Sequence, residues 1–223
     1  MAEWSIDAFR ACDSVRSIVV AAPPGNRGEL GGHDVGVVAG GATRAQSVAN
    51  ALEAVGTGYV AIHDAARPLL WPGLVEALVA DLDAAPEAAG VIAAAPVSDT
   101  IKRASSRGSF VGSDTTKEPR NERAEFGGSF VGRGTTKEPR VVVETLDRVS
   151  LWRAQTPQLF RTEALREALA AAERPEEATD EAMLVEAAGG TVLIHPVAEQ
   201  NLKVTTPLDL RVAELLLAER EAS

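Results

Sequence analysis

The sequence is poor in several residue types, and each scarcity narrows the class of protein. Cys12 is the single cysteine among 223 residues, so no intrachain disulfide can form and a reducing compartment suits the chain. Aromatic residues make up only 4%, so we expect a core of Ala, Val, Leu and Ile. No apolar run reaches the roughly 18 residues of a membrane span, and the first residues lack the pattern of a signal peptide. We therefore expect a cytoplasmic protein without a membrane partner.

Basic residues are also outnumbered. The chain has 22 Lys and Arg against 32 Asp and Glu, a net charge of −10. A negative surface repels phosphodiester backbones, which argues against a nucleic-acid partner. A small anionic substrate is compatible with this net charge, because a local cluster of Arg, Lys and metal can focus a positive potential. The 45% of apolar and 24% of charged residues are typical of a globular domain.

Short apolar runs alternate with helical patterns along most of the chain. Strands are predicted at 17–22, 35–39, 59–63, 90–94 and 191–194, and helices at 43–55, at 74–82, from Thr179 and from Thr206. Thr43 is predicted to cap its helix, and Asp209 lies where a capping-box acid belongs. This order predicts an α/β fold with a mostly parallel sheet that helices cover on both faces. Ligands of such sheets bind at the carboxyl ends of the strands.

One segment breaks this pattern with a tandem repeat. Gly-Ser-Phe-Val-Gly at 108–112 recurs at 128–132, and Thr-Thr-Lys-Glu-Pro-Arg at 115–120 recurs at 135–140. Two copies are fewer than the roughly three that a solenoid needs, and Gly, Ser, Thr and charged residues are typical of a flexible loop. We interpret 104–140 as an insertion in a single domain. The rival interpretation, a phosphate-gripping loop, lacks the Gly-Lys-Ser/Thr ending of such loops.

Three turns carry candidate functional residues. Asp64 and Arg67 follow the strand at 59–63, where they would hold Mg²⁺ and a phosphate side by side; the alternative is a turn in which Asp64 is a local cap. Gly40 and Gly41 would let backbone amides approach a ligand, or simply form a tight turn. Lys203 lies in an apolar stretch and is one of only four lysines, which favours a functional role. The alternative is an ordinary surface lysine. The three histidines have no metal-ligand spacing.

Six motifs follow one another in a familiar order. They are Gly40-Gly41-x-x-Arg44-x-x-Ser47-Val48, His63-Asp64-Ala65-Ala66-Arg67-Pro68, Pro96-Val97-Ser98-Asp99-Thr100-Ile101-Lys102-Arg103, Leu151-Trp152-x-Ala154-Gln155-Thr156-Pro157-Gln158, Thr179-Asp180-Glu181 and Asn201-Leu202-Lys203-Val204-Thr205. In this order and spacing the chain resembles the 2-C-methyl-D-erythritol 4-phosphate cytidylyltransferases. The resemblance covers most of 3–103 and 141–219, and it implies a Rossmann-like nucleotidyltransferase sheet with a protruding β-arm.

The resemblance implies a reaction and a set of residue roles. A CTP-dependent nucleotidyltransferase of this family transfers a cytidylyl group to methylerythritol phosphate, with Mg²⁺, and releases CDP-methylerythritol and pyrophosphate in non-mevalonate isoprenoid biosynthesis. Asp64 would bind the metal, and Lys203 would neutralise charge developing at the α-phosphate. Gly40, Gly41, Ser47, Ala65 and Arg67 would place the nucleotide, while Thr100, Arg148, Thr156 and Thr179 would hold the acceptor phosphate. The family is homodimeric, so Thr100 and Arg148 of the arm would act across the interface.

The sequence departs from the family at its first residues. The family opens with a central strand and a Gly-rich loop that carries basic residues around the triphosphate. Here no glycine precedes Gly25 and no lysine precedes Lys102, and the chain begins with the helix at 3–9 that would follow the loop. We expect two unpaired sheet edges with exposed apolar surface, and fewer catalytic charges. Two alternatives stay open: a ribitol-phosphate cytidylyltransferase, which shares the fold, and a non-catalytic homologue that binds a nucleotide or a partner.

Overall fold

The computed structural model describes residues 1–23, 25, 30, 32–105, 140–197 and 201–221. Most of the predicted insertion, 106–139, lies outside these ranges. The chain divides into two compact units. The first unit consists of Met1–Pro96 with Trp152–Ser223, and the second of Val97–Leu151.

The helices and strands alternate as the sequence pattern predicts. In chain order they are α1 (Ala2–Arg10), β1 (Ile18–Ala22), β2 (Val35–Ala39), α2 (Arg44–Leu52), β3 (Tyr59–Ile62), α3 (Pro72–Ala84), β4 (Gly90–Pro96), β5 (Lys102–Ser105), β6 (Val141–Thr145), β7 (Trp152–Arg161), α4 (Thr162–Ala171), α5 (Glu181–Ala187), β8 (Val192–Pro196) and α6 (Pro207–Glu221). The predicted elements are all present within a few residues of their expected bounds. The long strand β7 and the helix α4 were not predicted.

The strands of the first unit form two sheets. One is four-stranded in the order β3-β7-β4-β8, and the other is the pair β1-β2. β4 and β8 run parallel, as do β1 and β2, whereas β7 runs antiparallel to both of its neighbours. The α/β architecture is therefore as predicted, with β7 as the antiparallel exception. Among the described strands of this unit, β1, β2, β3 and β8 each have one edge without a strand partner.

Caps fix the ends of two helices as the sequence predicts. The Thr43 side chain accepts a hydrogen bond from the Gln46 amide, 3.1 Å away, at the start of α2. At the start of α6 the Asp209 carboxylate accepts from the Thr206 amide at 2.8 Å, and the Asp209 amide donates to the Thr206 hydroxyl at 3.2 Å. These reciprocal bonds are a capping box. They position the polar turns that precede both helices.

Two apolar clusters cover the two faces of the four-stranded sheet of the first unit. One packs α1 and α3 against the sheet and includes Leu78 and Leu82, which are fully buried. The other packs α2, α4 and α5 against the sheet and includes Phe160 and Leu165, also fully buried. Buried aliphatic surface contributes roughly 25 cal/mol per Å² to folding, so helices rich in Leu and Val suffice for a core that has few aromatic residues.

The second unit is a hairpin. β5 pairs antiparallel with β6, with Lys102 opposite Thr145 and Arg103 opposite Glu144. The two strands that flank the predicted insertion therefore pair with each other. No helix in the described part of the chain is long and apolar enough to cross a membrane.

Candidate functional site

The Asp64 carboxylate lies among three cationic side chains just beyond the carboxyl end of β3. Lys203 Nζ donates to Asp64 Oδ2 at 2.8 Å, and Arg44 Nη2 lies 3.5 Å from Asp64 Oδ1. The charge of Arg67 also acts on this carboxylate. Arg44 is the first residue of α2 and Lys203 lies in the irregular segment before α6. The loops after β2 and β3 therefore meet the chain's C-terminal region here, at the edge where the sequence pattern predicts ligand binding.

These cations keep Asp64 ionised. Burial raises the pKa of Asp64, but the hydrogen bond from Lys203 and the charges of Lys203, Arg44 and Arg67 outweigh it and hold the pKa below its usual range. Burial also lowers the pKa of Arg67. With Glu181, described below, the cluster combines three cationic and two acidic groups. It is thus locally positive in a chain whose net charge is −10, which suits an anionic ligand.

A partly buried chain of hydrogen bonds fixes the loop that carries Asp64. His63 Nε2 lies 3.1 Å from the Arg67 carbonyl oxygen, which can only accept, so this nitrogen carries the proton. His63 Nδ1 then accepts from the Thr156 hydroxyl at 3.1 Å, and that hydroxyl accepts from the Asp64 amide at 3.0 Å. Burial lowers the pKa of His63 to about 4. The neutral imidazole therefore couples β7 to the Asp64 loop.

The segment that carries Lys203 is tied to the same loop. Asn201 is fully buried, and its amide nitrogen donates to the Thr156 carbonyl at 2.8 Å. Arg67 Nη1 donates to the Asn201 carbonyl at 2.7 Å, and the Val204 amide donates to the Ala66 carbonyl at 2.7 Å. Lys203 lies between these two attachments. The backbone around Lys203 is thus fixed on both sides, and its ammonium group bonds directly to Asp64.

The glycine turn before α2 is closed by side chains of the helix. The Gly41 amide donates to Ser47 Oγ at 2.9 Å, and the Ala42 amide donates to Gln46 Oε1 at 2.9 Å. A Cβ atom at Gly41 would lie 2.4 Å from Cβ and Cγ of Gln46. Only glycine fits this contact. In this structure the side chains of α2 bind these two amides, so a ligand of the amides would have to displace Ser47 and Gln46.

Sequence reasoning left out two groups that build the site. Glu181, at the start of α5, is 1% exposed and forms an ion pair with Arg44. Burial raises the pKa of Glu181. Burial alone would lower the pKa of Arg44, but the hydrogen bond and the charge of Glu181 outweigh burial, so the pKa of Arg44 is raised. Gln158 is also 1% exposed; its side chain donates to Asp180 Oδ2 at 3.0 Å and accepts from the Ala182 amide at 3.3 Å. Glu181 and Gln158 both stand in the motifs given above, which was the available signal.

The structure brings together most of the predicted site residues, but not all of them. Asp64, Arg67, Thr156 and Lys203 are linked by the contacts above. Gly40 and Gly41 form the turn before Arg44, and Ser47 of α2 binds the Gly41 amide. Ala65 is exposed beside Asp64. Thr179 is exposed immediately before the cap of α5. Thr100 and Arg148 belong to the hairpin unit, where Arg148 donates to the Ser98 carbonyl.

A divalent metal fits this site only as a partner of an anionic ligand. Within the described ranges, no group of three or more His, Cys, Asp and Glu side chains could hold a metal ion. Asp64 offers one ionised carboxylate. Mg²⁺ is commonly bound through one or two carboxylates together with substrate phosphates, so this donor set fits Mg²⁺ when phosphate oxygens complete its coordination.

The chain is similar to known proteins over most of its length. Residues 1–121 and 133–219 match the family IspD, 2-C-methyl-D-erythritol 4-phosphate cytidylyltransferase. A bifunctional enzyme IspD/IspF of Anaeromyxobacter sp. is 41% identical over 94% of this chain and 48% of its own length. The 2-C-methyl-D-erythritol 4-phosphate cytidylyltransferase of Aromatoleum aromaticum is 40% identical over 86% of this chain and 68% of its own.

Solved structures agree with these sequence relatives. The crystal structure of the 2-C-methyl-D-erythritol 4-phosphate cytidylyltransferase from Thermus thermophilus aligns with a TM-score of 0.69 and 32% identity, over 96% of this chain and 86% of that one. The chain spans about half the length of the bifunctional relatives and most of the length of the solved one. The chain belongs to the 2-C-methyl-D-erythritol 4-phosphate cytidylyltransferase family.

Proposed function

We propose that this chain transfers a cytidylyl group from CTP to 2-C-methyl-D-erythritol 4-phosphate. The products are CDP-methylerythritol and pyrophosphate, a step of isoprenoid biosynthesis. The observation that carries the proposal is the Asp64 carboxylate held 2.8 Å from Lys203 and 3.5 Å from Arg44. A cation-rich cluster around one ionised carboxylate matches what a nucleoside triphosphate and its metal need.

The reaction is an in-line displacement at phosphorus. An oxygen of the acceptor phosphate forms a bond to the α-phosphorus of CTP, and the bond from that phosphorus to the bridging oxygen of the leaving pyrophosphate breaks. Negative charge grows on the oxygens around the α-phosphorus. Lys203 is suited to neutralise that charge, because bonds on both sides of it fix its backbone and its ammonium group lies 2.8 Å from Asp64.

The other groups bind and orient. Arg67 would contact nucleotide phosphate, and Gly41 and Ser47 would position the nucleotide at the start of α2. Asp64 would hold Mg²⁺, which supplies Lewis-acid neutralisation of the triphosphate when it is bound. Thr156 and Thr179 would hold the acceptor phosphate, with Thr100 and Arg148 contributed by the hairpin.

Ribitol phosphate is the competing acceptor, because a ribitol-phosphate cytidylyltransferase shares the fold and much of the motif pattern. The residues of the arm, Thr100 and Arg148, favour methylerythritol phosphate. The test is pyrophosphate release from CTP and Mg²⁺ with each acceptor in parallel, using a chain shown to be folded by circular dichroism. We expect turnover with methylerythritol phosphate. Turnover with ribitol phosphate alone would assign the other substrate, and release with neither acceptor would leave a non-catalytic binding protein.

A homodimer built through the hairpin is part of this proposal. The hairpin unit exposes three valines: Val142 is 57% exposed, Val143 49% and Val149 85%. Exposed apolar clusters commonly mark protein interfaces. We expect a dimer at micromolar concentration by light scattering, and a monomer for the double variant Val142→Lys, Val143→Lys. The control Val212→Lys, on α6, changes a valine that is 41% exposed and should leave the mass unchanged; a wild-type monomer would contradict the proposal.

A further inference from the structure

The Arg44 guanidinium group is shared between two carboxylates. Its Nη1 donates to Glu181 Oε1, while its Nη2 lies 3.5 Å from Asp64 Oδ1. The second distance exceeds the roughly 2.7–3.2 Å of an N–H···O hydrogen bond. A guanidinium group can bind a single carboxylate with both of its ends. Here it is bonded to Glu181 and is only attracted to Asp64 through space.

The two carboxylates lie in different surroundings. The side chain of Glu181 is 1% exposed and that of Asp64 is 18% exposed. Glu181 Oε2 is buried and has no hydrogen-bond partner among the described residues. The desolvation of a buried ion pair commonly offsets its Coulomb attraction, so this pair contributes little net stability to the fold. The consequence of Glu181 is therefore the place that it gives to Arg44.

Hydrogen bonds on both sides of Glu181 fix it at the start of α5. The Asp180 carboxylate accepts from the Met183 amide at 3.0 Å and from the Gln158 side chain at 3.0 Å. The Ala182 amide donates to Gln158 Oε1 at 3.3 Å. Since Gln158 belongs to β7, the start of α5 is attached to the central sheet. Glu181 is thus a fixed anchor for the guanidinium group.

Without the charge of Glu181, Arg44 would turn to Asp64. The charges of Glu181, Asp64 and Asp180 all act on Arg44. Both oxygens of Asp180 already accept hydrogen bonds, whereas Asp64 Oδ1 lies 3.5 Å from Nη2. Asp64 Oδ2 accepts from Lys203 at 2.8 Å. If Arg44 also bonded to Oδ1, cations would occupy both oxygens of Asp64.

We propose that Glu181 is a positioning residue: it holds Arg44 off Asp64 Oδ1 and keeps this oxygen open to a divalent cation that arrives with a nucleoside triphosphate. The inference rests on the proposed role of Asp64 in binding that cation. Groups that orient the ligands of a metal typically change its affinity about 10–100-fold when they are removed. Glu181 is expected to act in this way through Arg44, without touching the cation.

The first test is the position of Arg44 in crystal structures without ligand. Glu181→Met keeps an unbranched side chain of similar length and removes both the charge and the acceptor. We expect Arg44 to form a hydrogen bond of about 2.9 Å with Asp64 Oδ1 in this variant. Glu186→Met, which changes an exposed residue of the same helix, should leave Arg44 bonded to Glu181. An unmoved guanidinium group in Glu181→Met would overturn the proposal.

The second test is the binding of CTP, measured by isothermal titration calorimetry without acceptor. One series contains excess Mn²⁺, which suits the same oxygen ligands as Mg²⁺, and the other contains EDTA. The ratio of the two dissociation constants is the gain in affinity from the metal. We expect Glu181→Met to reduce this gain at least about tenfold, and to change the affinity in EDTA by less than about threefold. Equal losses with and without metal would indicate a purely structural role and contradict the proposal.

A double variant tests whether Glu181 acts through Arg44. Replacing a buried ion pair by apolar residues commonly preserves the fold, and Arg44→Met in the Glu181→Met background removes the cation that would close Asp64. We expect this double variant to recover most of the gain; a gain as small as that of Glu181→Met would refute the mechanism. If Glu181→Met does not fold, Glu181→Gln should lose at least about threefold of the gain, and an unchanged gain would be decisive against the proposal.

Asp64→Asn distinguishes a failure of this inference from a failure of the proposed metal site. We expect this variant to lose the gain in affinity from Mn²⁺. If it keeps the wild-type gain, or if the wild type has none, the metal role of Asp64 is wrong and the role of Glu181 falls with it. If Asp64→Asn loses the gain and Glu181→Met keeps it, the metal site stands and only the role of Glu181 is wrong.

Discussion

The neutral imidazole of His63 makes the stability of this fold depend on pH below neutrality. Its ring donates to the Arg67 carbonyl and accepts from the Thr156 hydroxyl, and burial lowers its pKa from 6.5 to about 4. As the pH falls, His63 therefore becomes protonated at a lower pH in the folded state than in the unfolded state. Stability from His63 is fully present above pH 6.5, is lost progressively as the pH falls, and the loss is complete near pH 4.

The size of this effect follows from the two pKa values. The difference between 6.5 and about 4 corresponds to a full loss of about 3 kcal/mol. Linkage gives a loss of about 2 kcal/mol by pH 5. That is a large part of the marginal stability of a domain, typically about 5–15 kcal/mol.

The assay is urea denaturation at pH 7.5 and pH 5.0. Carboxylates also titrate in this range, so the informative quantity is the difference between the wild type and His63→Gln. Glutamine keeps an N–H donor for the Arg67 carbonyl but cannot bind the proton. We expect the wild type to lose about 2 kcal/mol more than His63→Gln, while a control variant of the exposed histidine, His33→Gln, behaves as the wild type. Equal losses in the wild type and His63→Gln would refute the reasoning.

Two packing contacts near the site give further predictions. Gly41→Ala should destabilise the chain by about 1–3 kcal/mol, because the new Cβ would lie 2.4 Å from atoms of Gln46; Gly58→Ala, where nothing lies within 4 Å, is the control, and equal urea midpoints would contradict the clash. Gln158→Leu should cost about 1–3 kcal/mol, since it removes the donor that binds Asp180. Gln158→Glu keeps the shape of the side chain but places a carboxylate against Asp180. We therefore expect this variant to lose stability at pH 7.5 and to lose less at acid pH. If both variants were as stable as the wild type, this contact would not stabilise the fold.

Much of the fold could be predicted because local signals and packing agree. The apolar runs at β1 to β4 and at β8, and the caps at Thr43 and Asp209, indicate strands and helices directly. β7 was missed because Trp152–Arg161 mixes Arg, Gln, Thr and Pro with apolar residues. Its burial comes from pairing with both β3 and β4, which no local pattern reveals.

The candidate site was predicted in part for the same reason. Asp64, Arg67 and Lys203 stand in motifs whose order identifies the family, so their association could be expected. The pairing of Arg44 with Glu181 joins residues 137 positions apart, and it depends on the mutual placement of α2 and α5. The role of His63 as a neutral link was likewise not visible, because it requires the Thr156 hydroxyl of a distant strand.

The measurement that tests the central claim most directly is the rate of cytidylyl transfer in a matched pair of variants. Lys203→Gln removes the ammonium group beside Asp64, and Arg211→Gln removes an exposed cation of α6 nearby in the sequence. With CTP, Mg²⁺ and methylerythritol phosphate, we expect the wild type and Arg211→Gln to release pyrophosphate at similar rates, and Lys203→Gln to lose about 10²–10³-fold in kcat without loss of folding. Equal rates for the two variants, or no pyrophosphate from the folded wild type, would contradict the assignment of cytidylyl transfer to this site.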